Sequence, residues 1–139
     1  MIEAALVCLA LNGYHEARDQ PIVGQIAVAQ VVMNRVADSR YPDNPCDVIK
    51  QGETYSWSAS PVRHRCQFSW YCDGKLDEPQ DPDAYQKAMM VAHGVFYGNV
   101  SDVVEGATHY HAHYVLPDWA KTKTRTVRID SHIFYRWEY

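Results

Sequence analysis

The chain has 139 residues, 47% apolar and 22% charged, proportions that suit one globular domain over 1–139 with a real core. A net charge of −4 and a pI near 5.9 argue against charge-driven binding of nucleic acid or an anionic membrane. No apolar run approaches the ~20 residues that cross a bilayer, and Met1-Ile2-Glu3-Ala4-Ala5 lacks the basic segment that opens a secretory signal peptide.

Apolar residues at three- and four-residue steps (Ala4, Ala5, Val7, Cys8, Leu11) predict a first helix from Ile2 to about Ala17. Gly13 near its end is small enough to let another element approach. Asp19-Gln20-Pro21 is a turn, and Pro21 suits the first turn of a second helix running to about Ala37. Val23, Ile26, Ala27, Val31 and Val32 form its apolar stripe, Gly24, Ala27 and Ala29 permit close packing, and Asn34-Arg35 close it. A loop over 39–45 leads to a short helical turn at Cys46–Lys50.

Residues 53–75 show no helical period, and the aromatic-rich Gln67-Phe68-Ser69-Trp70-Tyr71 reads as extended, with Phe68 in the core. Asp81 caps a third main helix with Pro82 at its first position; Ala84, Ala88, Val91, Ala92 and Val95 face inward, and Gly98-Asn99 ends it. Beyond it, Thr108-His109-Tyr110-His111 alternates, Pro117-Asp118-Trp119-Ala120 is a turn, and 127–129 and 132–135 are short strands around Asp130-Ser131. The expected fold class is α+β, mainly helical with a small sheet or hairpin region. Of the four cysteines, Cys8 reads as a buried thiol within an apolar helix, and two of Cys46, Cys66 and Cys72 can pair.

Three groups of residues carry chemistry. Glu16, alone at a helix end before a turn, reads by composition as a solvent-facing residue paired with Arg18 or a nearby lysine; partial burial would instead raise its pKa and make it a proton donor. Phe68, Ser69, Trp70 and Tyr71 with Thr108, Tyr110 and Trp119 fit a groove where sugar rings stack and hydroxyls bind, or a packed hairpin. His109, His111 and His113 at period two point to one strand face. They read as polar groups on a wet face, with a zinc site as the alternative. Asn34 and Arg35 either support the loops behind Glu16 or cap their helix.

His15-Glu16-Ala17-Arg18, Gly24-Gln25-Ile26-Ala27-Val28-Ala29, Val31-Val32-Met33-Asn34-Arg35-Val36, Tyr41-Pro42-Asp43, Cys46-Asp47-Val48-Ile49, Gln67-Phe68-Ser69-Trp70, Gly106-Ala107-Thr108-His109-Tyr110-His111, Pro117-Asp118-Trp119 and His132-Ile133-Phe134-Tyr135 occur in that order. Together they resemble the SleB/CwlJ-type cell-wall hydrolases, spore-cortex-lytic enzymes that also occur among phage lysins. The resemblance implies a lysozyme-like α+β fold and action on peptidoglycan glycan strands, with Glu16 catalytic. It also places polar and aromatic groups in a groove, for which Ser69, Trp70, Thr108, Tyr110 and Trp119 are the candidates; Asn34, Arg35 and Gln20 are the candidate supporting residues. The family's common Glu-Ala-Arg-Gly-Glu reads Glu16-Ala17-Arg18-Asp19-Gln20 here, so Gln20 replaces the second acid. That departure suits single-carboxylate, lytic-transglycosylase chemistry with no cofactor or metal.

The expected protein is a monomer acting on the bacterial wall without membrane insertion or nucleic-acid binding, as a phage lysin released through a pore or a trimmed domain. A zinc-dependent amidase and a non-catalytic wall-binding module are the rival readings.

Overall fold

The computed structural model describes residues 2–138. Four helices, α1 (Ile2–Ala17), α2 (Ile22–Ala37), α3 (Pro45–Ile49) and α4 (Pro82–Phe96), accompany two antiparallel sheets, so the fold is α+β. A two-stranded hairpin pairs β1 (Gly52–Thr54) with β2 (Pro61–Cys66). A three-stranded sheet has the order β3 (His109–Ala112), β5 (His132–Arg136), β4 (Thr124–Ile129). Short 3-10 turns occupy Ser69–Cys72 and Asp118–Thr122. Among the described residues, no helix is long and apolar enough to cross a membrane.

Helix α2 is the element the others pack around. Ala29 and Val32 join Leu9 and Ala10 of α1, Val48 and Ile49 of α3, Ala92 and Val95 of α4, and Phe68 and Trp70 in a helical core. Ala27 and Val31 pack with Val104, Ala107 and Phe134 in a second core beneath the sheet. A helix apolar around most of its circumference is stable only when covered on more than one side. Polar groups on α2 then tie down the loop that enters the sheet. Gln30 donates to Ser101 O at 2.9 Å and accepts from Val103 N at 2.9 Å. Asn34 donates to Ala107 O at 2.8 Å, and buried Arg35 donates through Nε to Thr108 O at 2.7 Å.

The helix limits follow the sequence closely. Asp81 caps α4, its carboxylate accepting from Asp83 N and Ala84 N. Pro21 lies one position earlier than expected, at the N-cap of α2, where its carbonyl accepts from Gly24 N and Gln25 N. On α1 the buried stripe is rotated from the expected one. Ala5, Leu6, Leu9, Ala10, Gly13, Tyr14 and Ala17 face inward, whereas Ala4 and Val7 are exposed. The cause is α4, which crosses α1 near its C-terminal half; a Cβ on Gly13 would sit 4.0 Å from Ala88 Cβ.

Two expectations are corrected. Cys8 is not a free thiol: it pairs with Cys46, because α3 lies along α1 and brings their Cα atoms to 5.3 Å. Residues 67–71 are not extended, since Cys66 pairs with Cys72 across a Cα–Cα distance of 6.2 Å. Six extended residues would span roughly 20 Å, so the bond requires the compact 3-10 turn.

In the chain-entropy account, closing the 38-residue separation of Cys8–Cys46 stabilises by about 4 kcal/mol and the 6-residue separation of Cys66–Cys72 by about 2 kcal/mol. Denaturant unfolding of Cys8→Ser/Cys46→Ser is therefore expected to show the larger loss, about 4 kcal/mol, with a higher m-value because the unfolded chain opens without the cross-link. A larger loss for Cys66→Ser/Cys72→Ser would show that native packing, not loop closure, sets the order.

Candidate active site

Glu16 occupies the last turn of α1, and β3 passes beside it. Tyr110 is held by its register opposite Phe134 on β5, and its ring packs against both the helical core and the core beneath the sheet. From there the Tyr110 hydroxyl donates to Glu16 Oε1. A cleft of about 140 Å³ opens at this contact, lined by Glu16, Arg35, Gln67, Phe68, His109, Tyr110 and Trp119. Among the described residues, Glu16 is the one carboxyl in that lining.

The electrostatics follow from burial. Loss of solvent pushes the Glu16 carboxyl above its ordinary value of 4.5. The hydrogen bond from Tyr110 opposes this most, followed by the positive fields of His15 and Arg35. Burial and the adjacent carboxylate push the Tyr110 phenol well above 10, so it remains a donor. Burial lowers Arg35, and the guanidinium lies over the rings of Tyr41 at 5.1 Å and Phe68 at 5.3 Å. Burial, with Arg35, Lys123 and Arg40 nearby, lowers His109 to about 4. His109 is therefore neutral near pH 7, with Nδ1 2.9 Å from Thr108 Oγ1 and its ring against Trp119 at 5.1 Å.

The other expected groove residues fall around the cleft rather than in it. Ser69 is exposed at the start of the 3-10 turn. Trp70 is buried on the far side of the wall, where its indole N–H donates to Asn12 Oδ1 at 2.8 Å and its ring stacks on His15 at 4.6 Å. Thr108 is buried, its hydroxyl at His109 and its carbonyl at Arg35. Asn34 stays outside, bonded to Ala107, while Arg35 reaches the cleft itself. Gln20 donates to Ser131 Oγ at 2.7 Å, fastening the β4–β5 turn to the start of α2. Its side chain covers Gly24, where an added Cβ would lie 3.0 Å from Gln20 Cβ.

The three histidines do not converge. Among the described residues, no group of three or more His, Cys, Asp or Glu side chains is placed to hold a metal ion. His111 has Nε2 at 2.8 Å from Tyr135 Oη and Nδ1 at 2.8 Å from Ala112 O, while His113 is exposed. Sequence reading missed His109 and Gln67 as cleft residues. Phe68, expected in the core, both packs there and lines the cleft. The proximity of Gln67 and Phe68 to the histidine strand in the fold has no local sequence signal.

A family model described as Cell Wall Hydrolase matches residues 19–135. Glu16 lies just before that span. The spore cortex-lytic enzyme of Halalkalibacterium halodurans is 30% identical over 122 residues, 87% of this chain and 31% of that protein. The chain thus spans about a third of that relative. The solved catalytic domain of the germination-specific lytic transglycosylase SleB from Bacillus anthracis is similar with a TM-score of 0.68 and 25% identity, over 95% of this chain and 93% of that one. The catalytic domain of SleB from Bacillus cereus has a TM-score of 0.69 at 23% identity, over 96% of this chain and 91% of its own. The fold is accordingly the lysozyme-like α+β fold of these domains.

The raised Glu16 pKa has a stability consequence. Folding favours the protonated carboxyl, so its contribution is fully present below the ordinary value of 4.5 and is lost as pH rises through the folded pKa. Glu16→Gln, which keeps an acceptor for Tyr110, is expected to raise Tm at pH 7. The gain should disappear below pH ~4. Thermal melts across pH check both parts.

Proposed function

The chain belongs to the cell wall hydrolase family, and we propose that it cleaves the bond between N-acetylmuramic acid and N-acetylglucosamine in peptidoglycan as a lytic transglycosylase. The observation that carries this reading is the single carboxyl in the cleft, raised by burial. Ordinary retaining and inverting glycosidases need two carboxyls, about 5–5.5 Å or 6.5–9.5 Å apart. A transglycosylase uses one. The similar Bacillus anthracis domain, that of a germination-specific lytic transglycosylase, supports the same choice.

In this mechanism Glu16 enters protonated. It gives its proton to the glycosidic oxygen as the bond from the muramyl anomeric carbon breaks, releasing N-acetylglucosamine with a free hydroxyl. The resulting carboxylate then takes the proton of the muramyl 6-hydroxyl while that oxygen bonds to the anomeric carbon. The products are a 1,6-anhydro-muramyl end and a regenerated acid, and no water is consumed. One group serves as acid and then base because its two tasks follow one another.

The surrounding residues fit those tasks. Tyr110 donates to the carboxylate and fixes its orientation, and the Arg35 field stabilises it after proton transfer. Half-buried Trp119 offers an apolar face to a sugar ring, and neutral His109 offers a hydrogen-bonding group without a charge to desolvate. Gln20 acts at a distance by holding the turn behind α2. The two disulfides suit work outside a reducing cytoplasm.

Mass spectrometry of soluble products from purified peptidoglycan tests the reading. Wild type is expected to release fragments ending in 1,6-anhydro-muramic acid, and Glu16→Gln to lower the rate by about 10²–10⁴-fold. Reducing muramic ends would replace the proposal with hydrolysis, and free stem peptides would replace it with amidase chemistry.

Tyr110→Phe removes a bond that favours the Glu16 carboxylate, so the carboxyl pKa rises further. The basic limb of the kcat/KM profile is expected to move to higher pH, with a lower maximum from lost orientation. A basic limb that stays in place would separate Tyr110 from the titration of Glu16.

A further inference from the structure

A second cavity, of about 220 Å³, lies beside the catalytic cleft and is not explained by glycan cleavage. The same two chain segments wall both. At the end of α1, Glu16 faces the cleft and His15 the second cavity; after β2, Phe68 faces the cleft and Trp70 the second cavity. His15 and Trp70 stack at 4.6 Å with an interplanar angle of 16°, and His15 Nε2 lies 2.7 Å from Asp77 O, so the dividing ridge is braced.

The lining chemistry differs sharply from that of the cleft. Arg18, Lys75, Asp73 and Glu78 all contribute to it, over a floor that includes Trp70. Among the described residues, the ion pairs are Arg40–Asp38, Arg65–Glu53 and Arg136–Glu138, so none of these four side chains forms an ion pair; Asp73 accepts from the Lys75 backbone N–H at 2.9 Å and Arg18 donates to Tyr14 O at 3.5 Å. Arg18 lies over the Tyr14 ring at 4.8 Å. Two cations and two anions, none in an ion pair, around one concave site match a ligand that itself carries both signs.

We propose that this cavity receives the stem peptide borne by muramic acid, so that the enzyme reads peptide as well as glycan. The inference rests on the glycan-cleaving assignment for its substrate. With the lactyl carboxyl in amide linkage to the peptide, the sugars of the strand are uncharged and call for aromatic faces and hydrogen bonds. The peptide attached to the lactyl group of muramic acid carries carboxylates, and its diamino residue carries an amine. Arg18 and Lys75 meet the carboxylates, Asp73 and Glu78 meet the amine, and Trp70 offers an apolar surface to the aliphatic chain. A muramic acid whose glycosidic oxygen sits at Glu16 presents that peptide to the neighbouring cavity.

The test uses solubilised peptidoglycan strands and the same strands stripped of peptide by an amidase, with product mass spectrometry on both. Wild type is expected to show about 10-fold higher kcat/KM on peptide-bearing strands. In Arg18→Gln/Lys75→Gln the ratio of the two values should fall towards one. In parallel, the free pentapeptide L-Ala-γ-D-Glu-meso-diaminopimelate-D-Ala-D-Ala is titrated into Glu16→Gln while the Trp70 indole N–H is followed by NMR. A saturable shift, weakened by the double substitution, is expected. Equal rates on the two strands in wild type, an unchanged ratio in the double variant, or no indole shift at millimolar peptide would each overturn the stem-peptide site. Failure of the catalytic assignment looks different: neither strand yields anhydro ends, while the peptide still moves Trp70.

Discussion

The structure depends on the burial of α2 on two sides. Its Ala29 and Val32 belong to the helical core and its Ala27 and Val31 to the core beneath the sheet. One rigid helix therefore fixes the position of the α1 end relative to β3. Without that constraint, Glu16 and Tyr110, 94 residues apart in sequence, have no reason to meet. The buried Arg35 bond and the half-buried Asn34 bond to the 107–108 backbone complete the coupling, because a donor shielded from water and left without its acceptor is costly.

Opposing influences act on the Glu16 carboxyl. Burial favours the neutral acid, while Tyr110, His15 and Arg35 favour the carboxylate. Burial outweighs the other three, so the carboxyl stands above its ordinary value. His109 complements it. Kept neutral by burial and three nearby cations, it adds polarity to the cleft without competing for the role of charged partner.

The Cys66–Cys72 bond organises the wall between the two cavities. It folds 67–71 into a tight turn, so that Phe68 and Trp70, two residues apart, face different spaces. An extended segment would send both side chains to one face. The turn thus gives one short stretch two functions: an apolar edge for the cleft and a support for the charged cavity beside it. The Cys8–Cys46 bond acts farther away, holding α3 to α1 behind the helical core.

The sequence by itself determined the helices and the candidate acid. Asp81-Pro82 and the turn around Pro21 mark helix starts through local hydrogen bonding and φ restriction, and these effects act within a few residues. The motif order from His15-Glu16 to His132-Phe134 also located the family, because chemistry-bearing residues keep their spacing along a chain. Only the tertiary structure decided what those residues touch. The partner of Cys8, the rotation of the α1 stripe under α4, the placement of His109 in the cleft and of Trp70 behind it all depend on contacts between distant segments. Such contacts are set by which surfaces exclude water together, and no local pattern encodes that pairing.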